Sequence, residues 1–337
     1  MQLSLDTLFT LGASALIAGL SFTTFSRTEV GDVTSGWGDG AYQRGFESRF
    51  EKALPTYETS ASLWAATRWL LFNETANGAV ASQDGWLFTA EEFTEPATEI
   101  DFDSELRRVA ETLAAYQIGL VPIIIPDKAR MYSDRLARPR SGGFQNRYDR
   151  ALATIGEAGL LTIDLRPVLS REDSFMRTDT HWSPEGAKSV AKAIASSLIS
   201  FQFDRVQVST NKIGERPFEG DLLAFVATGP FRGILGPTPE TISIYETVIE
   251  SRLGLFDDAS LPVALVGTSY SAKPDFHFEG FLKDALRTDL LNASAVGRGP
   301  FLPMEEFLNE ISQLSTLPTS VIWEIPERYI SIRNHEK

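Results

Sequence analysis

The 337-residue chain contains no cysteine. Disulfides, thiolate nucleophiles and zinc–thiolate centres are thereby excluded. Histidine is nearly as scarce: there are three, His181, His277 and His335, the last of them near the C-terminus. So few imidazoles argue against a multi-histidine metal site, and no cofactor is expected. Positive charge is also short. The 31 Lys and Arg face 45 Asp and Glu, giving a formal net charge of −14. No basic stripe of the kind that follows a nucleic-acid backbone is present, so nucleic acid is not an expected partner. There is no internal repeat and no low-complexity run. What remains, 43% hydrophobic and 23% charged residues, is ordinary for a globular protein.

Charge is missing altogether from residues 7–26, which are rich in Leu, Ala, Phe and Gly. About twenty such residues cross a bilayer core as a helix. No Lys or Arg precedes the run and no Ala-x-Ala closes it, so an uncleaved anchor is favoured over a cleavable signal. Asp6 before the run and Arg27, Glu29 and Asp32 after it do not fix an orientation. Residues 1–26 are therefore read as anchor or signal, and 27–78 as a linker and helical lead-in. In that lead-in 31–40 is glycine-rich, and 42–54 and 61–72 are amphipathic at helical spacing.

The main domain is placed at 79–330, with a short tail at 331–337. It opens with a hairpin or strand entry at 79–88, turning at Asp84-Gly85. From residue 101 the pattern is α/β. Helices are expected over 103–117, 145–158, 184–199, 278–286 and 304–313. Short apolar runs at 120–125, 160–165, 261–266, 289–295 and 319–325 read as strands, the first of them buried on both faces. The fold class is α/β, a doubly wound and mostly parallel sheet of about five strands. Residues 201–258 read as an insertion, with an edge strand at 201–209, a loop-rich stretch at 214–239 and a helix near 245–253.

Chemistry concentrates at Asp179-Thr180-His181-Trp182-Ser183-Pro184. Ser183 suits an N-cap, Pro184 the first helical position and Glu185 the positive end of the helix dipole. His181 is thus held at the edge of a rigid element, and Asp179 can fold back to fix its tautomer, as a general base for acyl transfer requires. Asp-x-His is also common as a capping Asp beside a packed His. The second feature is Gly267-Thr268-Ser269-Tyr270-Ser271, at the carboxyl end of an expected strand, where open α/β sheets place their sites. Gly267 allows a tight turn and close backbone approach, and the N–H groups that follow can hold an oxyanion. It is not the Gly-x-Ser-x-Gly elbow, because Ser271 stands in place of the second glycine. A lone Gly-x-Ser is often without consequence. Its pairing with Asp179 and His181, after a strand of the same sheet, favours catalysis. His277, in Asp275-Phe276-His277, is the rival base, without the helix start that follows His181.

Six motifs occur in one order: Asp-Gly-Trp-Leu-Phe (84–88), Pro-Asp-Lys-Ala-Arg (126–130), Thr-Asp-Thr-His-Trp-Ser-Pro-Glu-Gly (178–186), Gly-Thr-Ser-Tyr-Ser (267–271), Gly-Pro-Phe (299–301) and Val-Ile-Trp-Glu-Ile-Pro-Glu-Arg (321–328). Together they resemble the bacterial alginate O-acetylation proteins, the AlgJ/AlgX group, over roughly residues 40–330. The resemblance implies an SGNH-hydrolase-like domain with permuted motif order, the Asp/His pair preceding the serine. It implies Ser269 as nucleophile, His181 as base and Asp179 as orienting acid. It also implies a periplasmic location at the inner membrane, a polysaccharide acceptor and a membrane-bound acyltransferase that supplies acetyl groups. Lys128 and Arg298, both at expected strand ends, and Tyr270 are the candidate substrate contacts. The expected activity is O-acetylation of an exopolysaccharide, alginate or a related polymer. An acetylesterase of the same fold and a non-catalytic polysaccharide-biosynthesis scaffold are the alternatives.

Overall fold

The computed structural model describes residues 5–31, 36–97, 100–199, 205–226, 229, 232–250 and 261–331. The chain divides into two units: Met1–Glu74 with Val226–Gly236, and Thr75–Phe225 with Pro237–Lys337.

The first unit is helical. Helix α1 covers Leu5–Arg27, α2 Ala41–Ala53 and α3 Tyr57–Phe72, with Asn73 in the left-handed region ending α3. Helix α1 falls on the uncharged run expected to cross a bilayer. Among the described residues, however, no helix is long and apolar enough to cross a membrane. Hydroxyls and glycine dilute the run. Thr23 and Thr24 send their Oγ1 back to the carbonyls of Gly19 and Leu20, at 2.8 and 2.7 Å.

In the second unit β1 (Ala79–Ala81) and β2 (Leu87–Thr89) form the expected hairpin, turning where Asp84 and Gly85 both take positive φ. Helix α4 (Phe102–Ala115) starts at Asp101, whose carboxylate accepts the Ser104 N–H. Then come β3 (Gly119–Ile125), α5 (Lys128–Met131), α6 (Gly142–Glu157), α7 (Arg166–Leu169) and α8 (Pro184–Ser197). Strands β4 (Gln207–Phe218) and β5 (Glu240–Glu250) pair as an antiparallel ribbon; the short α9 (Arg232–Leu235) between them belongs to the first unit. The chain closes with β6 (Val263–Val266), α10 (Ser269–Ala272), α11 (Phe278–Leu286), β7 (Leu290–Asn292), α12 (Phe301–Glu310) and β8 (Ser320–Pro326).

The central sheet has the order β3-β8-β6-β7, all parallel. Alternation within each strand builds two cores. Val121, Ile123, Val263, Leu265 and Ile322 pack toward α8 and α11, while Leu120, Ile124, Ala264, Val321 and Trp323 pack toward α4, α6 and α12. This is the doubly wound arrangement, with four strands in place of about five. Residues 160–165 join no ladder, and Leu165 already has helical dihedrals at the start of α7. The Leu165 N–H donates to Tyr148 Oη at 3.0 Å, so a side-chain hydroxyl takes a donor that a fifth strand would have shared with its neighbour. The stretch 245–250, expected to be helical, is strand instead. Thr241-Ile-Ser-Ile-Tyr-Glu-Thr-Val-Ile alternates at period two and is rich in β-branched residues. Residues 251–253 of that expected helix lie outside the described residues.

Candidate active site

The Asp179–His181 loop is fixed from four directions. A bridge pairs Phe175 with Trp182, and Ser183 caps α8 by accepting the Gly186 N–H at 3.1 Å. From below, the Lys128 ammonium donates to the carbonyls of Leu87, Arg177 and Asp179 at 2.5, 3.0 and 2.9 Å. From the ribbon, Glu240 accepts the N–H groups of Arg177 and Thr178 at 2.6 and 2.7 Å. Asp221 accepts the Thr180 N–H at 2.8 Å and gives its own N–H to Asp179 Oδ2 at 2.8 Å. Gly220 permits this approach, since a Cβ there would collide with the Thr178 carbonyl.

The second half of the site is the turn after β6. Thr268 caps α10, and the buried Glu324 of β8 accepts the Thr268 N–H at 2.7 Å and the Ser271 hydroxyl at 3.1 Å. Gly267 keeps an ordinary φ. Its requirement is space, because a Cβ would stand 2.5 Å from Glu324 Oε2. From Thr268 to Ala272, Ser269 alone has a backbone N–H without a partner among the described residues.

These two pieces bring the expected residues together. His181 Nε2 lies 2.7 Å from Ser269 Oγ, and His181 Nδ1 lies 2.6 Å from Asp179 Oδ1. Ser269 is half-buried; His181 and Asp179 are buried. Phe276 stacks on the imidazole with ring centroids 4.9 Å apart, and Tyr270 tilts against it at 4.7 Å. Burial alone would raise the Asp179 carboxyl. The hydrogen bond and charge of His181, with the N–H groups of Asp221 and His181, outweigh it and lower the carboxyl to about 2. Asp179 is therefore an anion at neutral pH, and it pins the proton on Nδ1 so that Nε2 faces the serine as an acceptor. Asp221 Oδ2 is a further 3.6 Å from Nδ1, and burial together with the Asp179 charge raises its carboxyl. Asp179, His181 and Asp221 place donor atoms within 4.8 Å of one another, the one group of three in metal-ligand reach among the described residues. Both Asp179 oxygens are already engaged by N–H donors, which suits proton transfer better than ligation.

Two expected substrate contacts are corrected. Lys128 is fully buried beneath the loop, and its ammonium is used up by three carbonyls. Burial lowers its pKa to about 8 against the pull of Glu92, Glu240 and Asp179. Tyr270 is also buried, with its hydroxyl on the Thr180 carbonyl at 2.8 Å. Both position the loop. Arg298 is exposed and forks onto Glu306 at 2.6 Å, beside a cavity of about 570 Å³ lined also by Phe301, Arg328 and Tyr329. Arg328 reaches from that cavity to lie 5.5 Å over the Tyr270 ring. His277 turns to the ribbon, where its Nε2 meets Thr247 Oγ1 at 2.7 Å. Sequence reasoning missed Asp221, Glu240 and Glu324. The first two come from the segment read as insertion, where Gly220-Asp221 was the one available signal.

A four-stranded parallel sheet with a Ser-His-Asp chain beside the end of β6, the Asp/His pair preceding the serine, marks an SGNH-hydrolase-like domain. The family described as SGNH hydrolase-like domain, acetyltransferase AlgX, matches residues 79–327, and the chain belongs to it. The probable alginate O-acetylase AlgJ of Pseudomonas syringae pv. tomato is 33% identical over 98% of this chain and 87% of its own length. The protein of that description from Pseudomonas aeruginosa is 35% identical, over 87% and 80%. Among solved structures, the O-acetyltransferase domain of Pseudomonas putida AlgJ is similar with a TM-score of 0.67 and 34% identity, covering 75% of this chain and 91% of that one. Pseudomonas aeruginosa AlgX shares the fold, with a TM-score of 0.61 at 24% identity, covering 76% and 63%.

Proposed function

We propose that this chain is an O-acetyltransferase that acetylates an exopolysaccharide, alginate or a related polymer, in the periplasm. The observation that carries the reading is the unbroken hydrogen-bonded chain from Asp179 through His181 to Ser269, 2.6 and 2.7 Å long in its two links. Ser269 Oγ attacks the acetyl carbonyl as His181 Nε2 takes the hydroxyl proton. The oxyanion faces the Ser269 N–H, and the leaving group departs with the proton from Nε2. A sugar hydroxyl then attacks the acetyl-serine. Nε2 takes its proton and returns it to Oγ as the serine ester breaks. Relatives named as alginate O-acetylases support this acceptor class. Arg298 serves the acceptor by exchanging Glu306 for a uronate carboxylate.

Acetyl groups arrive from a membrane-bound acyltransferase, a supply that suits a chain kept at the inner membrane. Helix α1, with Leu16, Ile17, Phe22 and Phe25 exposed, is the segment that would keep it there. Retention in washed membranes should depend on residues 5–27.

The test is the polymer made by cells whose only copy carries Ser269→Ala. Transfer predicts polymer of normal yield without acetyl groups. An esterase predicts more acetyl than wild type. A scaffold predicts unchanged acetylation in Ser269→Ala cells and altered acetylation on deletion. Wild-type acetylation in the Ser269→Ala strain would sink the proposal.

A further inference from the structure

Glu324 is a buried carboxyl that the reaction above does not use. It sits one residue past the Val266–Trp323 pairing of β6 and β8, with no exposed surface. No Lys, Arg or His forms an ion pair with it among the described residues. Its hydrogen bonds go to one short turn: the Thr268 N–H at 2.7 Å, Thr268 Oγ1 at 3.0 Å and Ser271 Oγ at 3.1 Å. Ser269 lies between those two residues. Burial pushes the Glu324 carboxyl up to about 7, with the Thr268 and Ser271 donors and the Arg328 charge pulling the other way. A carboxyl in such a place costs stability that an apolar side chain of equal size would not. Gly267, which leaves room for Glu324 and no more, is a second residue committed to the same contact.

We propose that Glu324 is a positioning residue. It clamps Thr268 and Ser271 so that Ser269 Oγ stays on His181 Nε2 and the Ser269 N–H stays clear for the oxyanion. This role rests on the catalytic reading of Ser269. A turn released by about 1 Å loses on the order of 10²-fold in rate, because the nucleophile leaves its attack geometry.

The test is hydrolysis of p-nitrophenyl acetate by the full chain. Glu324→Ala should lower kcat about 10²-fold with KM unchanged. Glu324→Gln should recover most of that loss, because its amide oxygen in the place of Oε2 still accepts the Thr268 N–H and the Ser271 hydroxyl, while its NH2 in the place of Oε1 meets Thr268 Oγ1. Should Glu324→Ala not fold, Ser271→Ala, a smaller change, carries the same expectation at several-fold. Wild-type kcat in Glu324→Ala or, in its place, Ser271→Ala overturns the inference. So does a change confined to KM, or a Gln variant no better than Ala. Ser269→Ala run in parallel separates the two readings. If it hydrolyses the ester as wild type does, the nucleophile assignment fails. If it is inactive while the Glu324 and Ser271 variants keep wild-type kcat, only the positioning role fails.

Discussion

Two Asp-x-His tripeptides occur in this molecule, at 179–181 and 275–277. In the first, Asp179 folds back onto Nδ1 of its own histidine and Nε2 points at Ser269. In the second, Asp275 pairs with Arg216, His277 sits at positive φ between two short helical elements, and its Nε2 meets Thr247. Spacing is identical, so spacing does not decide the outcome. The surroundings do. Lys128, Glu240 and Asp221 hold the first loop by its backbone and leave its side chains to face each other. Among the described residues the second loop has no such clamps, and it contributes an aromatic plate, Phe276, stacked on the His181 imidazole.

The comparison breaks most visibly in activity. His181→Ala should lower acetyl transfer about 10²–10⁴-fold, the range for loss of a general base. His277→Ala should leave kcat within about threefold and soften the ribbon contact by about 1 kcal/mol. Steady-state rates on an activated acetyl ester decide between them; equal losses would mean the two loops are not functionally distinct.

The next largest effect is on stability. Lys128→Met removes the ammonium from the carbonyls of Leu87, Arg177 and Asp179, of which the Arg177 carbonyl keeps the Leu87 N–H. It should cost about 2–5 kcal/mol in urea unfolding, the scale of buried carbonyls left unmet, and lower kcat through the displaced Asp179. Loss of stability without loss of activity would show that the clamp is dispensable to the loop.

A smaller effect follows pH. The Glu324 carboxyl stands at about 7 in the folded chain against an ordinary 4.5. Its contribution is fully present below the unfolded value. Between 4.5 and 7 the unfolded chain releases the proton first, so stability falls as pH rises, by up to about 3 kcal/mol for this group. Glu324→Gln removes that fall, and the variant should gain on wild type from pH 5 to pH 8. Asp179 has the opposite sign: its contribution is present above its ordinary 3.8 and lost as pH falls through about 2. Parallel urea midpoints for the variant and wild type across pH 5–8 would contradict the burial argument for Glu324.

The smallest effect is at the rim. Arg298→Ala should raise KM for a uronate oligomer a few-fold, in keeping with an exposed ion pair, and leave ester hydrolysis unchanged. An unchanged KM would remove Arg298 from the acceptor site.

The layers of the sheet and most helix boundaries were legible because alternation and caps are local. Asp101, Ser183 and Gly85 each act within three residues. The approach of His181 to Ser269 was legible because Ser269 follows the end of β6 and His181 lies just ahead of the Ser183 cap of α8. The stretch at 160–165 was not, since its apolar run is that of a strand while its donor goes to a tyrosine hydroxyl. Lys128 was misread because a lysine at a strand end is ordinarily exposed. Its burial depends on carbonyls delivered from residues 87, 177 and 179. Glu240 opens β5 and Asp221 lies in the turn that follows β4, and the ribbon that carries them pairs Gln207 with Glu250 and Phe218 with Glu240, separations over which no local pattern speaks.

The central claim is that Ser269 carries the acetyl group. Mass spectrometry of peptides from protein quenched during turnover of an activated acetyl ester tests it directly. The account predicts a gain of one acetyl group on the peptide containing Ser269, absent from Ser269→Ala. Continued acetyl transfer with Ser269 unmodified at every time point, or at the wild-type rate in Ser269→Ala, would contradict it.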